Sequence, residues 1–121
     1  MRIISASLFL FVAFLSFTAT AQEPGELKKI NGTELFVSVH GQGKTIVMLH
    51  GGPGLNHAYF RPHLDELARN YRVVYYDQRA SGRSLVPPSD SVSIKHLVND
   101  LDALRKQLNV ERLNLLGHSW G

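Results

Sequence analysis

The run Gly117-His118-Ser119-Trp120-Gly121 reads G-x-S-x-G, a pattern that, when it follows a buried strand, makes a sharp turn lifting the serine hydroxyl above the sheet edge as a nucleophile. The strand is there. Leu113-Asn114-Leu115-Leu116 directly precedes the motif. The flanking Gly117 and Gly121 have a steric reason, because so tight a turn leaves no room for β-carbons beside the neighbouring strand and helix. A serine placed in this way attacks acyl carbonyls if a base takes its proton and two N–H donors face the developing oxyanion.

One donor is the main-chain N–H of the residue after the nucleophile, Trp120. A second must come from a loop where substrate can approach bare backbone. His50-Gly51-Gly52-Pro53-Gly54, after the apolar run 45–49, is such a loop. Gly52 is the first choice and Gly51 the second, since Pro53 carries no N–H. His50 reads as a hydrogen-bonding structural residue, and His118, adjoining Ser119 at a tight turn, is expected to diverge from it. Neither is expected to be the base.

A third motif, Asp77-Gln78-Arg79-Ala80-Ser81-Gly82-Arg83-Ser84, follows the run 72–76. Asp77 and Arg79, with Gln78 between them, are expected to hold this loop against the glycine-rich one by charge and hydrogen bonding. Other polar groups carry less. Gly41-Gln42-Gly43-Lys44-Thr45 looks like part of a phosphate-binding loop but lacks the first glycine, with Ser38 in its place, and leads into a strand. His57 and His63 are not at metal-ligand spacing and are expected to be solvated loop histidines. Asp100 and Asp102 are expected to be surface charges. No metal or organic cofactor is required by this chemistry.

The elements that must position these loops alternate. Residues 27–30 and 35–39 flank Asn31-Gly32, a tight hairpin turn. The runs 45–49, 72–76 and 113–116 are β-branched or continuously apolar, as in strands covered on both faces. Residues 57–69 read as helical, with Pro62 confining the regular part to the later turns. Residues 93–108 read as a clear helix, with Ile94, Leu97, Val98, Leu101, Leu104 and Leu108 on one face and Ser91 or Ser93 as cap. The fold class is therefore α/β: a mostly parallel sheet entered by an antiparallel hairpin, with helices on both faces.

Length and composition set the remaining bounds. The chain has 121 residues, no cysteine, and 13 Lys and Arg against 10 Asp and Glu. The absence of cysteine excludes disulfides and thiolate metal sites from it. Its charges of both signs are interleaved, so no nucleic-acid partner is expected. Met1-Arg2, an apolar run over 8–17 and the A-x-A triplet Ala19-Thr20-Ala21 have the layout of a secretory signal peptide. Residues 1–21 are thus expected to be removed, leaving 22–121 as an exported domain, periplasmic or secreted, without a stable membrane span.

HGGPG, DQRASGRS and GHSWG, in that order and at strand ends, resemble the proline iminopeptidase group of the α/β-hydrolase superfamily. The resemblance covers about 32–121 and departs from the usual DQRG at Ala80. It implies Ser119 as nucleophile, Gly52 and Trp120 as oxyanion donors, and a small peptide or acyl substrate, typically with N-terminal proline. It places the acid and base downstream of Ser119, so 22–121 is expected to be an incomplete domain, inactive by itself. An esterase or lipase of the same superfamily is the alternative, as is a non-catalytic remnant.

Overall fold

The computed structural model describes residues 23–88 and 92–121. The leader expected over 1–21 and the alternative cap Ser91 lie outside the described residues. Five strands form one sheet: β1 (Glu26–Ile30), β2 (Thr33–His40), β3 (Lys44–Leu49), β4 (Tyr71–Tyr76) and β5 (Asn114–Gly117), in the spatial order β1-β2-β4-β3-β5. The entering hairpin closes at Ile30↔Thr33, with Asn31 and Gly32 both at positive φ, the two-residue turn that matches strand twist. β2 joins β4 antiparallel. β3 lies between β4 and β5, parallel to both.

The continuous apolar runs are explained by two covered faces. Successive strand residues point to opposite sides. Val47, Val74 and Tyr76 turn toward Leu104 and Leu108 of helix α1 (Ile94–Gln107), while Met48, Val73 and Tyr75 turn toward Phe60, Leu64 and Leu67. Each fully buried Leu or Val contributes roughly 1.5–3 kcal/mol relative to exposure.

The second face is built differently from the expected helix over 57–69. It carries two short 3-10 turns, His57–Phe60 and Asp65–Arg69. Pro62 interrupts any longer ladder because it has no N–H to donate, and the chain resumes with the bond from Asp65 N–H to Pro62 O, a three-residue step. Such tight turns come in short pieces.

Helix α1 begins at Ser93, whose Oγ accepts the N–H of His96 at 3.3 Å. It stops at Asn109, which sits at φ 56°. The N–H groups of Asn109 and Val110 close onto Lys106 O and Arg105 O, a left-handed helix stop that satisfies terminal carbonyls. The apolar stripe read from the sequence is divided. Leu104 and Leu108 are buried, whereas Ile94 and Val98 are 66% and 60% exposed. Among the described residues no helix is long and apolar enough to cross a membrane.

Asp100 corrects an expectation. It is buried, not a surface charge, and its carboxylate receives Arg79 Nε at 2.6 Å and Nη2 at 2.5 Å. Asn31 Nδ2 donates to the same carboxylate at 2.9 Å. The group lies three residues after Leu97 and four before Leu104, on the helix face that meets the sheet. Asp102 stays exposed and pairs with Arg105 and Lys106.

The loop after β4 contains a strained position. Ala80 sits at φ 60°, a conformation that costs an L-residue roughly 1–2 kcal/mol. Ala80→Gly removes that cost while adding freedom to the unfolded chain, so a net gain of about 0.5–1 kcal/mol is expected. A raised urea midpoint at unchanged slope verifies it; an unchanged or lower midpoint contradicts the strain.

Candidate active site

The parallel register sets Leu49 beside Gly117, so the chain leaves β3 and β5 at the same sheet edge. Carboxyl ends of strands in open α/β sheets are where ligands bind. The glycine-rich loop and the serine turn thus emerge side by side. The turn is pinned by His118 N–H donating to Leu49 O at 3.1 Å and by Gly121 N–H donating to His118 O at 3.1 Å. Within it Ser119 has φ 60° and is exposed.

Glycine is required here by contact. A β-carbon on Gly121 would lie 2.1 Å from Leu49 O, and one on Gly117 would lie 2.6 Å from Gly121 O. From the opposite side, a β-carbon on Gly51 would stand 3.1 Å from Ser119 Cβ. The two loops touch through backbone. Gly52 and Gly54 have φ values of 149° and 88°, which let the loop after β3 fold back beside the serine.

Among the loop's N–H groups, occupancy differs. Gly51 N–H donates to Tyr59 Oη at 2.7 Å, and Pro53 has none to offer. Gly52 and Trp120 N–H have no hydrogen-bond acceptor among the described residues. Between these loops and α1 lies a cavity of about 250 Å³ whose walls include Gly52, Pro53, Gln78 and Trp120. The Trp120 ring is 53% exposed.

His50 is fully engaged. Its Nδ1 meets Gly51 O at 2.6 Å and its Nε2 accepts Gln78 N–H at 2.9 Å. The Gln78 amide returns the contact, donating to His50 O at 2.7 Å. Gln78 and His50 therefore join the loop after β4 to the glycine-rich loop. Arg79 departs from the sequence expectation in that its guanidinium pairs with Asp100 on α1. His118 Nδ1 is hydrogen-bonded to Tyr59 Oη at 3.0 Å.

His57 is the second correction. It is 2% exposed rather than solvated, while His63 remains at the surface. Nδ1 of His57 lies 2.6 Å from Asp77 Oδ1, and Nε2 lies 2.7 Å from Glu23 Oε2. A carboxylate at each nitrogen favours the imidazolium, which can donate to both. Asp77 also accepts the N–H of His57 at 2.9 Å and of Arg83 at 2.8 Å. It thereby anchors the segment that follows the glycine-rich loop, the part of its expected role that it fills. Among the described residues no three His, Asp or Glu side chains are grouped to hold a metal ion.

Residues 44–121 match the alpha/beta hydrolase fold family. The chain belongs to that family. It is 42% identical over 80 residues to the proline iminopeptidase of Lactobacillus helveticus (strain DPC 4571), covering 63% of this chain and 27% of that protein. It is 33% identical over 118 residues to the proline iminopeptidase of Saccharolobus solfataricus, covering 93% and 37% respectively. Among solved structures, a proline iminopeptidase-related protein from Thermus thermophilus superposes with a TM-score of 0.73 at 39% identity, over 80% of this chain and 36% of that one. An epoxide hydrolase from Vigna radiata gives 0.74 at 35%, over 81% and 32%. The chain thus spans 27% to 37% of the length of these curated relatives.

The buried ion cluster carries a pH signature. Burial pulls the His57 pKa down, but hydrogen bonds and charge from Asp77 and Glu23 prevail and raise it. Burial pushes Asp77 up, and the His57 ring with the two backbone donors holds it below the usual carboxylate range. The His57 contribution is complete below its unfolded value of about 6.5 and lost as pH climbs through the folded one; the Asp77 contribution is complete above about 3.9 and lost as pH falls through its folded value. Thermal midpoints should therefore fall as pH rises above about 6.5, with a flatter limb in His57→Gln. Parallel limbs in the two proteins would assign the fall to another group.

Proposed function

We propose that this chain carries the nucleophile and oxyanion loop of a serine hydrolase that cleaves peptide bonds after an N-terminal proline, or related acyl bonds, through an acyl-enzyme. The observation that carries this reading is the exposed Ser119 at φ 60°, on a turn packed against the backbone of Gly51. The proline iminopeptidase relatives supply the substrate class.

In this reading Ser119 Oγ attacks the carbonyl carbon, and the developing oxyanion is met by the N–H groups of Gly52 and Trp120. Gly52 is favoured over Gly51 because the Gly51 N–H is already taken by Tyr59. The free Gly52 and Trp120 donors, opening on a small cavity, fit a site that receives charge as it forms. Removing one such donor in a serine hydrolase costs about 2.7–4 kcal/mol of activation free energy.

A base must still take the serine proton. Both ring nitrogens of His50 and of His57 have other partners, and Nδ1 of His118 faces Tyr59 Oη. The proposed base and acid therefore belong to the part of the relatives this chain does not span, and residues 22–121 alone are expected to turn over nothing. For the complete reading frame, Ser119→Ala should lower kcat/KM toward proline p-nitroanilide by roughly four orders of magnitude or more. Undiminished turnover in that variant would remove Ser119 from the chemistry. Turnover confined to p-nitrophenyl esters would assign an esterase.

We further propose that residues 1–21 are a cleaved export signal, on the strength of the charged start, apolar run and A-x-A site. The mature product recovered outside the cytoplasm should then begin at Gln22 by N-terminal sequencing. Recovery of a cytoplasmic product retaining the first 21 residues would contradict export.

A further inference from the structure

Tyr59 belongs to none of the three motifs, yet its hydroxyl stands where two of them meet. Tyr59 Oη accepts Gly51 N–H at 2.7 Å and lies within hydrogen-bond distance of His118 Nδ1, at 3.0 Å. One bond fixes the glycine-rich loop and the other fixes the residue before Ser119. The phenol ring also packs edge-on to the His118 ring, with centroids 5.5 Å apart, and against Phe60 at 4.6 Å.

The base from which Tyr59 reaches is rigid. It lies in the 3-10 turn His57–Phe60, capped by Asn56 Oδ1, which accepts Ala58 N–H at 2.9 Å. Below, His57 is bolted to Asp77 and Glu23. Phe60 is buried in the cluster with Tyr75 and Met48. Tyr59 itself is 36% exposed, and its hydroxyl is placed by this turn and by its two hydrogen bonds.

We propose that Tyr59 is a positioning residue that clamps the oxyanion loop to the nucleophile turn and, by occupying Gly51 N–H, leaves Gly52 as the loop's donor. The inference rests on the serine hydrolase reading above. Its chemistry is a matter of distance. Catalytic donors must lie about 2.7–3.1 Å from the position the oxyanion will occupy, and a displacement of about 1 Å can cost on the order of a hundredfold in rate. Tyr59 touches neither substrate nor Oγ in this scheme. It sets the separation between the groups that do.

The clamp makes a specific demand on His118. For Nδ1 to take the phenol proton, the ring must carry its own hydrogen on Nε2. An asparagine at this position offers an amide oxygen as acceptor in place of Nδ1, whereas alanine offers none.

The test uses the complete reading frame with proline p-nitroanilide. Tyr59→Phe should lower kcat about tenfold or more with KM changed less than about twofold, since the interaction acts on the transition state and not on ground-state binding. His118→Ala should fall in the same direction, and His118→Asn should return to within about threefold of the parent. The double variant Tyr59→Phe/His118→Ala should be no worse than the weaker single one, as expected for partners in one contact. The His118 variants leave the Tyr59–Phe60 packing in place, so they decide the matter if Tyr59→Phe does not fold. A Tyr59→Phe enzyme with parental kcat, a loss confined to KM, or equal impairment in His118→Ala and His118→Asn would overturn the clamp. If Ser119→Ala retains turnover, the hydrolase reading falls instead. The clamp is then judged by the imidazole nitrogen resonances of His118: a change in the Nδ1 resonance in Tyr59→Phe upholds the contact, and an unchanged one refutes it.

Discussion

Backbone contact between two strand-end loops is the constraint on which this structure depends. The serine turn can sit over the end of β3 only because nothing but hydrogen occupies the β positions of Gly117 and Gly121. It lies close beside the glycine-rich loop, where a β-carbon on Gly51 would stand 3.1 Å from Ser119 Cβ. Parallel pairing of β3 with β5 brings the two loops to one edge, and the glycines let them close. A sheet edge without those glycines would present the same loops separated by side chains.

Beneath this contact the structure uses buried charge to hold the loops still. The Asp77–His57–Glu23 cluster ties the 3-10 turn His57–Phe60 to the end of β4 and to the segment before β1. The Arg79–Asp100 pair ties the same β4 loop to α1, and Asn31 extends it to the first hairpin. Such pairs are weak sources of net stability, because desolvation offsets attraction, but removing one partner costs about 3–5 kcal/mol. Their effect here is directional. Each joins elements distant in sequence around the loop that carries Gln78, and Gln78 in turn grips His50.

Much of this was legible in the residues. Three strands could be read from β-branched or continuously apolar runs, because two covered faces require uninterrupted apolarity, the first two from the Asn31-Gly32 turn between them, and the loops declared themselves by glycines that only close backbone approach explains. The less legible part was polar and long-range. Nothing in the spacing of His57 points to Glu23, which lies 34 residues away in sequence. Tyr59 has no motif and was visible only once the loop and the turn were side by side. Asp100 did leave a signal: its position between Leu97 and Leu104 puts it on the inner face, where a lone carboxylate needs a cation. The expected helix over 57–69 failed because apolar spacing outlined a buried face without revealing that Pro62 divides it into separate turns.

The left-handed residues show how local strain is distributed. Of the four non-glycine residues at positive φ among the described residues, Asn31 and Asn109 are of a type that tolerates the region. They terminate a hairpin and a helix. Ser119 and Ala80 are not of that type. At Ser119 the strained turn is bonded to Leu49, to itself and, through His118, to Tyr59, and in the proposed reaction its use would be to present the hydroxyl. Ala80 carries the same backbone conformation without any reactive group to present. Its loop keeps that shape because Ala80 N–H is held by Leu85 O at 3.2 Å and Ser81 N–H by Gln78 O at 3.0 Å. Two residues with nearly one φ value thus differ in kind: at one the surrounding bonds preserve a chemical orientation, and at the other they only preserve a fold.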